Sequence, residues 1–248
     1  MTDAIVVGAG HNGLVAANLL ADARWDVLVL EAQPEPGGAG RSGELTVPGF
    51  THDLFSAFYP LAAASPHIAG LGLGDYGLRW RRSPQVLANP TPDGRCAVLS
   101  TDLDTTAASL ERFGTGDGDA WRRLFAEWQR LREPLLESLL RPFPPIKGAA
   151  KLVRAAGAPE LLRLARRLVL PATRFADEEF RGEGARVLLA GNALHTDLSA
   201  DAAGSAAFGW LLSMLAQDVG FPVPEGGAGS ITDALVARLA SRGGTVAC

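Results

Sequence analysis

The first thirty residues alternate between short apolar runs and one helical pattern. Residues 4–7 form an apolar, β-branched run that ends at glycines, which is typical of a buried strand. Residues 12–23 carry apolar side chains at intervals of three and four, which predicts a helix. Residues 27–30 form a second continuous apolar run, which predicts a parallel strand reached by a right-handed crossover. Together they predict one βαβ unit.

The later pattern predicts loops, one hairpin and then mostly helices. Residues 34–43 are rich in proline and glycine, and a strand is expected at Leu45–Val47 before a turn at Pro48-Gly49. Residues 86–89 and 96–99 predict a hairpin with Asp93-Gly94 in its turn. Helices are predicted at 121–135, 158–170, 183–195, 201–218 and 230–242, and a last strand at 245–248.

A glycine motif lies between the first predicted strand and helix. Its sequence is Gly8-Ala9-Gly10-His11-Asn12-Gly13. Gly8 permits a tight turn, Gly10 allows a pyrophosphate to approach the backbone, and Gly13 allows close packing of helix on strand. Free N–H groups at the helix N-terminus suit the diphosphate. The motif, with His11 and Asn12 inside it, therefore predicts a dinucleotide site.

An acidic residue stands where this kind of site needs one. Glu31 ends the second predicted strand, about twenty residues after the motif, and Ala32 follows it. A carboxylate there accepts hydrogen bonds from ribose hydroxyl groups and repels a 2′-phosphate. We therefore place Glu31 and Ala32 in the predicted site, and the carboxylate argues against NADP.

A second glycine run favours FAD over NAD, although both dinucleotides share the first motif. Gly37-Gly38-Ala39-Gly40-Arg41 follows Glu31 closely enough to return to the same phosphates. It offers additional backbone donors from Gly37 and Gly38 and a cation from Arg41. A simple NAD domain would normally enter its second helix at this point. A flexible linker is the alternative interpretation of this run.

These motifs resemble the phytoene desaturase (carotenoid dehydrogenase) family of flavoproteins, in particular its branch of pyridine nucleotide-disulphide oxidoreductase domain-containing proteins. Pro48-Gly49-Phe50 and the run 222–229 before a helix are similar to further family motifs. The resemblance implies an α/β fold: a Rossmann-like FAD-binding domain of glutathione-reductase type with an inserted, largely helical substrate domain. The implied boundaries are 1–80 for the N-terminal part of the FAD domain and 81–221 for the substrate domain. Residues 222–248 are the incomplete segment that returns to the FAD domain.

Two positions depart from the family pattern. Arg24 stands where a helix-ending glycine is usual, so it must adopt a left-handed conformation or change the turn. Ala39 replaces the arginine that often follows the double glycine, and Arg41 is the residue that can take its place. Family members are about twice this length, so the chain resembles an N-terminal half.

Composition narrows the class of protein. A net charge of −4 over 248 residues gives no overall reason to expect nucleic acid as a partner. Cys96 and Cys248 form no disulfide framework, and no Cys/His cluster has metal-ligand spacing, so we predict a reducing, cytoplasmic location and no metal. The N-terminus lacks the pattern of a secretory signal.

A basic stretch is the exception to this mild acidity. Eight cations between Arg141 and Arg174 face the single acid Glu160 along the sequence; they are Arg141, Lys147, Lys151, Arg154, Arg163, Arg166, Arg167 and Arg174. Such a stretch is either the solvated face of substrate-domain helices or a peripheral contact with anionic lipid. On the helix predicted at 158–170, Arg163, Arg166 and Arg167 are expected on the polar side.

The remaining titratable residues predict structural roles rather than catalysis. Asp53 is expected to cap a helix, as is Asp201, and His195 and Asp197 lie near a predicted helix end. Catalytic residues are not identified. The resemblance implies an FAD-dependent oxidoreductase that abstracts hydride from an apolar, isoprenoid-like substrate. The alternatives are a non-catalytic or truncated flavin-binding module and an amine oxidase-like flavoenzyme; oligomeric state is not predicted.

Overall fold

The computed structural model describes residues 1–141 and 143–248. These residues form two compact units. The first consists of Met1–Arg82 and Phe221–Cys248, and the second is Ser83–Gly220. The first unit is therefore built from both ends of the chain.

The strands lie before residue 101 and after residue 222, and a run of α-helices lies between them. The strands are β1 (Ala4–Val7), β2 (Val27–Leu30), β3 (Ser42–Glu44), β4 (Thr51–Asp53), β5 (Trp80–Arg81), β6 (Gln85–Pro90), β7 (Cys96–Ser100), β8 (Val223–Pro224) and β9 (Thr245–Ala247). The helices are α1 (His11–Asp22), α2 (Pro60–Ala64), α3 (Pro66–Gly70), α4 (Leu103–Glu111), α5 (Asp117–Leu139), α6 (Ile146–Arg167), α7 (Ala172–Glu179), α8 (Glu183–Ala193), α9 (Ser205–Val219) and α10 (Gly229–Ser241).

The first unit contains a parallel sheet in the order β1-β2-β9. Val6 pairs with Val29, and Val29 pairs in turn with Val246. The helices α1 and α10 pack against this sheet, and their apolar faces supply its core, including Leu14 and Leu235. The predicted Rossmann-like βαβ unit is confirmed, and the strand predicted at the end of the sequence joins the same sheet.

A polar network connects α1 with α10 inside this core. Arg238 is buried, and its Nε donates to the carbonyl oxygen of Leu71 at 2.7 Å. Its two Nη atoms donate to Asn18 Oδ1 at 3.1 Å and Asp22 Oδ2 at 2.9 Å. Asn18 in turn donates to the carbonyl oxygen of Leu235 at 3.0 Å. Because the buried Asn18 and Arg238 pair with each other and with Asp22 at the surface, the network fixes the two helices without leaving the Arg238 charge unpaired.

The second unit combines the β6–β7 hairpin with six helices among its described residues, α4 to α9. Gly94 has φ +84° in the predicted hairpin turn. Trp121, Trp128 and Leu131 of α5 are fully buried, as its helical apolar spacing predicts. The unit is mostly helical around this aromatic core.

Two predictions about local structure are wrong, and one predicted helix ends earlier than expected. Leu45–Val47 is not a strand, because β3 and β4 pair on either side of a turn that contains it. The helix at 158–170 is the second part of α6, which bends at Gly157 with φ +69°, and it ends at Arg167. The helix expected from Asp201 begins only at Ser205, behind Gly204; Asp201 instead accepts a hydrogen bond from Thr173.

Among residues 1–141 and 143–248, no helix is both long enough and apolar enough to cross a membrane.

Candidate functional site

The first glycine motif forms a tight turn between β1 and α1. The N–H of Gly8 donates to the carbonyl oxygen of Leu30 at 2.7 Å, and Gly8 has φ +98°. Helix α1 begins at His11, and Gly10 before it offers no side chain to cap the first N–H groups. His11 and Asn12 are exposed at this end. An uncapped, accessible helix N-terminus is suited to an anion.

The glycines of this motif serve different physical needs. A Cβ on Gly13 would overlap the carbonyl oxygen of Gly8, so glycine there is required for α1 to lie on β1. A Cβ on Gly10 would meet nothing closer than the Cα of Gly38, at 4.0 Å, and its φ is −70°. The fold therefore does not explain glycine at position 10. Space kept open beside uncapped N–H groups is instead explained by a ligand that approaches the backbone.

The structure brings the second glycine run against the first. The N–H of Gly37 donates to the carbonyl oxygen of Ala9 at 2.8 Å. Gly38 has φ +56°, and a Cβ on it would lie 3.2 Å from the Cα of Gly10, so a side chain at position 38 would push the two runs apart by a few tenths of an ångström. Arg41 closes the run, because its Nε donates to the carbonyl oxygen of Gly38 at 2.9 Å. We call residues 8–13 and 37–41 together the glycine cradle.

Glu31 lies beside the cradle with its carboxylate held by backbone donors. Oε1 accepts from the N–H of Gln33 at 3.0 Å, and Oε2 accepts from the N–H of Ala9 at 2.7 Å. These two bonds, Gln33 first, hold the pKa of Glu31 below its ordinary value, and the positive charge of Arg41 adds a smaller effect. The carboxylate is therefore ionised at neutral pH and keeps lone pairs for a further donor. Ala32, which follows it, is exposed.

A third segment supports the cradle, and sequence reasoning missed its role. Thr232 Oγ1 on α10 donates to the carbonyl oxygen of Gly40 at 2.9 Å. Asp53 Oδ1 accepts from the N–H of Ala228 at 2.6 Å, and Ser42 Oγ accepts from the N–H of Gly229 at 2.9 Å. The prediction that Asp53 caps a helix is wrong, because Asp53 ends β4 and its carboxylate binds the N–H of Ala228, the residue before α10. No local pattern relates these positions, because the pairing is created by the return of the chain.

These features fit the ADP part of a dinucleotide. The open space at Gly10 and the uncapped N-terminus of α1 suit a diphosphate, and the ionised Glu31 suits a ribose diol. The structure therefore brings together Gly8, Gly10, His11, Asn12, Gly13, Glu31, Ala32, Gly37, Gly38 and Arg41 around one edge of the sheet.

The other titratable candidates are not assembled into a site. His52 hydrogen-bonds Thr46 at 2.7 Å, within the turn between β3 and β4. Asp197 ends a short 3-10 helix with φ +58°, and His195 lies in the same helix. Within residues 1–141 and 143–248, no group of three or more metal-binding side chains occurs. The structural roles predicted for His195 and Asp197 are consistent with these positions.

Comparison with known proteins places the cradle in a family context. A family model for the NAD(P)-binding Rossmann-like domain matches residues 6–71. The chain is 27% identical to pyridine nucleotide-disulfide oxidoreductase domain-containing protein 2 of Mus musculus, over 98% of this chain and 46% of that protein. It is 31% identical to a component of the limonene dehydrogenase of Castellaniella defragrans, over 54% of this chain and 24% of that one. The chain is 30% identical to carotenoid 3,4-desaturase of Haloarcula japonica, over 56% of this chain and 28% of that protein.

Solved structures share the fold. Cyclohexylamine oxidase from Brevibacterium oxydans aligns with a TM-score of 0.58 at 18% identity, over 99% of this chain and 51% of that one. The chain spans less than half the length of the mouse, Castellaniella and Haloarcula relatives. Residues 6–71 therefore form an NAD(P)-binding Rossmann-like domain. The relatives of the chain include pyridine nucleotide-disulfide oxidoreductase domain-containing proteins and carotenoid desaturases, as the predicted resemblance implies.

Proposed function

We propose that this chain supplies the ADP-binding part of an FAD-dependent oxidoreductase that removes hydride from an apolar, isoprenoid-like substrate. The observation that carries the proposal is Gly10, where the fold tolerates a side chain but the sequence has none. The space beside it adjoins uncapped N–H groups of α1. A diphosphate that contacts the backbone accounts for both features.

The residues of the cradle have distinct roles in this proposal. Gly10 and the first turn of α1 hold the diphosphate, and the Gly37–Gly38 backbone with Arg41 lies against the same turn. The Glu31 carboxylate accepts from the ribose hydroxyl groups. FAD, when bound, supplies the hydride acceptor, so the protein itself needs to bind, orient and exclude water rather than provide an acid and a base.

The substrate class is supported by the names of the relatives. Limonene dehydrogenase and carotenoid 3,4-desaturase are named for oxidations of isoprenoids. Both match only about half of this chain, so the substrate belongs to the proposal. Amine oxidation is the competing activity, because cyclohexylamine oxidase shares the fold.

Flavin retention tests the cofactor first. The purified chain is incubated with FAD and desalted, and bound flavin is measured by visible absorbance. Gly10→Glu should weaken FAD binding at least about 10-fold, because it places a side chain and a negative charge at the diphosphate position. The Tm of this variant should stay within about 2–4 °C of the parent's Tm. That is the shift that a change of about 1 kcal/mol in the free energy of unfolding produces in a chain of this size.

Gly43→Glu is the matched control. A Cβ on Gly43 in β3 meets nothing within 4 Å, and the change of charge is the same. Loss of flavin in both variants, or no flavin retained by the parent, contradicts the cofactor assignment. With flavin bound, reduction by prenyl or polyene compounds supports the substrate class, whereas reduction only by amines overturns it.

A further inference from the structure

Helices α1 and α10 end in the same backbone motif. After α1, the N–H of Arg24 donates to the carbonyl oxygen three residues back at 2.9 Å, and the N–H of Trp25 donates five residues back at 3.2 Å. After α10, the N–H groups of Gly243 and Gly244 donate three and five residues back, at 3.0 and 3.1 Å. This pattern ends a helix with one residue in the left-handed region. The two helix ends can therefore be compared residue by residue.

The two ends differ in the residue that takes the left-handed conformation. At α10 it is Gly243, with φ +87°, whereas at α1 it is Arg24, with φ +67°. A Cβ is disfavoured in this region, and glycine serves the same position at α10. The backbone N–H groups already satisfy the carbonyl oxygens at the end of α1, so the Arg24 side chain is not needed as a cap. Strain that is kept where glycine would relieve it indicates a role for the side chain.

Arg24 and Trp25 line a cavity of about 630 Å³ beyond the C-terminal end of α1. Trp25 is 48% exposed, and Arg24 is exposed beside it. In the part of the chain that the structure describes, Arg24 has no carboxylate oxygen within 4 Å and its guanidinium donates no hydrogen bond. An unpaired guanidinium next to an accessible indole is typical of a binding site, because both groups contribute strongly to recognition.

The other charged groups of this cavity leave it with an excess of positive charge. Asp22 Oδ2 lies 2.9 Å from the buried Arg238, and Asp22 Oδ1 lies 3.4 Å from Nε of Arg242, which lines the cavity. Asp26 Oδ2 lies 3.7 Å from the terminal amino group. Each acid therefore has a cationic partner already, whereas the charge of Arg24 is left for a ligand.

We propose that this cavity, which we call the α1 pocket, binds an aromatic anion. A planar ring stacks on the indole of Trp25, and the phosphate or carboxylate that the ring carries pairs with the guanidinium of Arg24. Arg242 adds a second cation at the same cavity. An inorganic anion would use only the cations, and a neutral ring would use only the indole.

The α1 pocket is distinct from the glycine cradle. Helix α1 has 12 residues, so its two ends are about 18 Å apart. The cradle lies at its N-terminal end and the pocket lies beyond its C-terminal end. The proposal therefore does not depend on FAD.

Calorimetric titration with 1-naphthyl phosphate and with 1-naphthoate tests the proposal and distinguishes a phosphate from a carboxylate. At least one of the two should bind. Inorganic phosphate and 1-naphthol should bind about 10-fold more weakly or less, because each lacks one half of the ligand. The titrations are repeated with the Gly10→Glu variant, in which an anion is kept out of the cradle, and binding should persist.

Arg24→Gly separates loss of the ligand from loss of the fold. It removes the guanidinium and the backbone strain together, so affinity should fall about 10-fold or more while the Tm rises above that of the parent. Trp25→Ala should lower affinity about 2- to 10-fold. Arg154→Gln is the charge-matched control, because Arg154 is exposed on α6 and lies outside the pocket. This control should bind like the parent.

Three results would overturn the proposal. They are no binding of either aromatic anion by the parent, unchanged affinity in Arg24→Gly, and an equal loss of affinity in Arg154→Gln. Equally tight binding of a tetraglutamate peptide, which has no aromatic ring, also overturns it and assigns the surface to an acidic segment of a partner protein.

Discussion

The candidate site of the first unit and the core of the second unit hold polar groups in different ways. In the first unit, the candidate site is made almost entirely of backbone, because its glycines allow two loops to meet. Its one carboxylate, that of Glu31, is held by backbone N–H donors. In the second unit, one ion pair lies fully inside the core. Arg167 donates to both carboxylate oxygens of Glu127, at 2.6 and 2.7 Å, and both residues are buried. The first arrangement can be recognised in a local sequence, whereas the second cannot.

The buried pair also corrects a sequence prediction. Helical spacing predicts Arg167 on the polar side of its helix with Arg163 and Arg166, but its guanidinium lies near the rings of Phe175 and Trp210, 5.0 and 4.7 Å from their centroids. Arg166, one position earlier, is exposed and pairs with Glu178. Helical periodicity places a residue on a face, but the partner helix decides whether that face is buried. A charged residue of the second unit therefore cannot be assigned to the surface from the sequence alone.

The largest effect is expected from breaking the buried pair. Arg167→Met leaves Glu127 buried without a partner and should lower the free energy of unfolding by about 3–5 kcal/mol. Arg166→Met removes an exposed pair and should cost less than about 1 kcal/mol. Urea unfolding followed by circular dichroism measures both. The double variant Glu127→Leu/Arg167→Met should recover much of the loss, and equal losses in the two single variants would show that burial does not matter here.

In the first unit, the corresponding break is steric. Gly13→Ala places a Cβ against the carbonyl oxygen of Gly8, so α1 must move away from β1, at a cost of about 1–3 kcal/mol. Gly43→Ala is the control, because its Cβ meets nothing within 4 Å. Thermal unfolding compares the two. A Gly13 variant as stable as the control would mean that helix and strand do not pack as closely as described.

A smaller change in stability is expected at two non-glycine residues with left-handed backbone conformation, one in each unit. Arg24, with φ +67°, is the predicted departure from a helix-ending glycine, and Asp197 in the second unit has φ +58°. Arg24→Gly should stabilise the chain by about 0.5–1 kcal/mol, because a Cβ is disfavoured in this region. Asp197→Gly should gain less, since aspartate tolerates it better. Urea midpoints measure the difference, and a larger gain at Asp197 would reverse the comparison.

The smallest effect is the pH dependence of Glu31. Its pKa in the folded chain lies below the ordinary 4.5, so the ionised form stabilises the fold above pH 4.5, and this contribution is lost as pH falls through the lowered pKa. Glu31→Gln removes the charge that Gln33 and Ala9 bind. Its Tm should be below that of the parent at neutral pH, and the difference should shrink in acid. A difference that stays constant as the pH is lowered would contradict the pKa assignment.

Local predictions succeed where the physics is local and fail where pairing is distant. An apolar run predicts a strand at Leu45–Val47, but the antiparallel pairing of Ser42 with Asp53 puts that run in the turn. Gly49, with φ +86°, completes the turn as predicted. Apolar character alone does not show which residues form the hydrogen-bonded ladder.

The sequence by itself determined the βαβ unit, because its strands, glycine turn and helix depend on residues that are close together along the chain. It also identified Glu31 and the second glycine run as candidates. Only the tertiary structure decided that Asp53 and Thr232 hold the loops beside α10, and that Arg167 is buried. The physical reason is that burial and charge pairing depend on neighbours brought from far along the chain, which the spacing of residues does not encode.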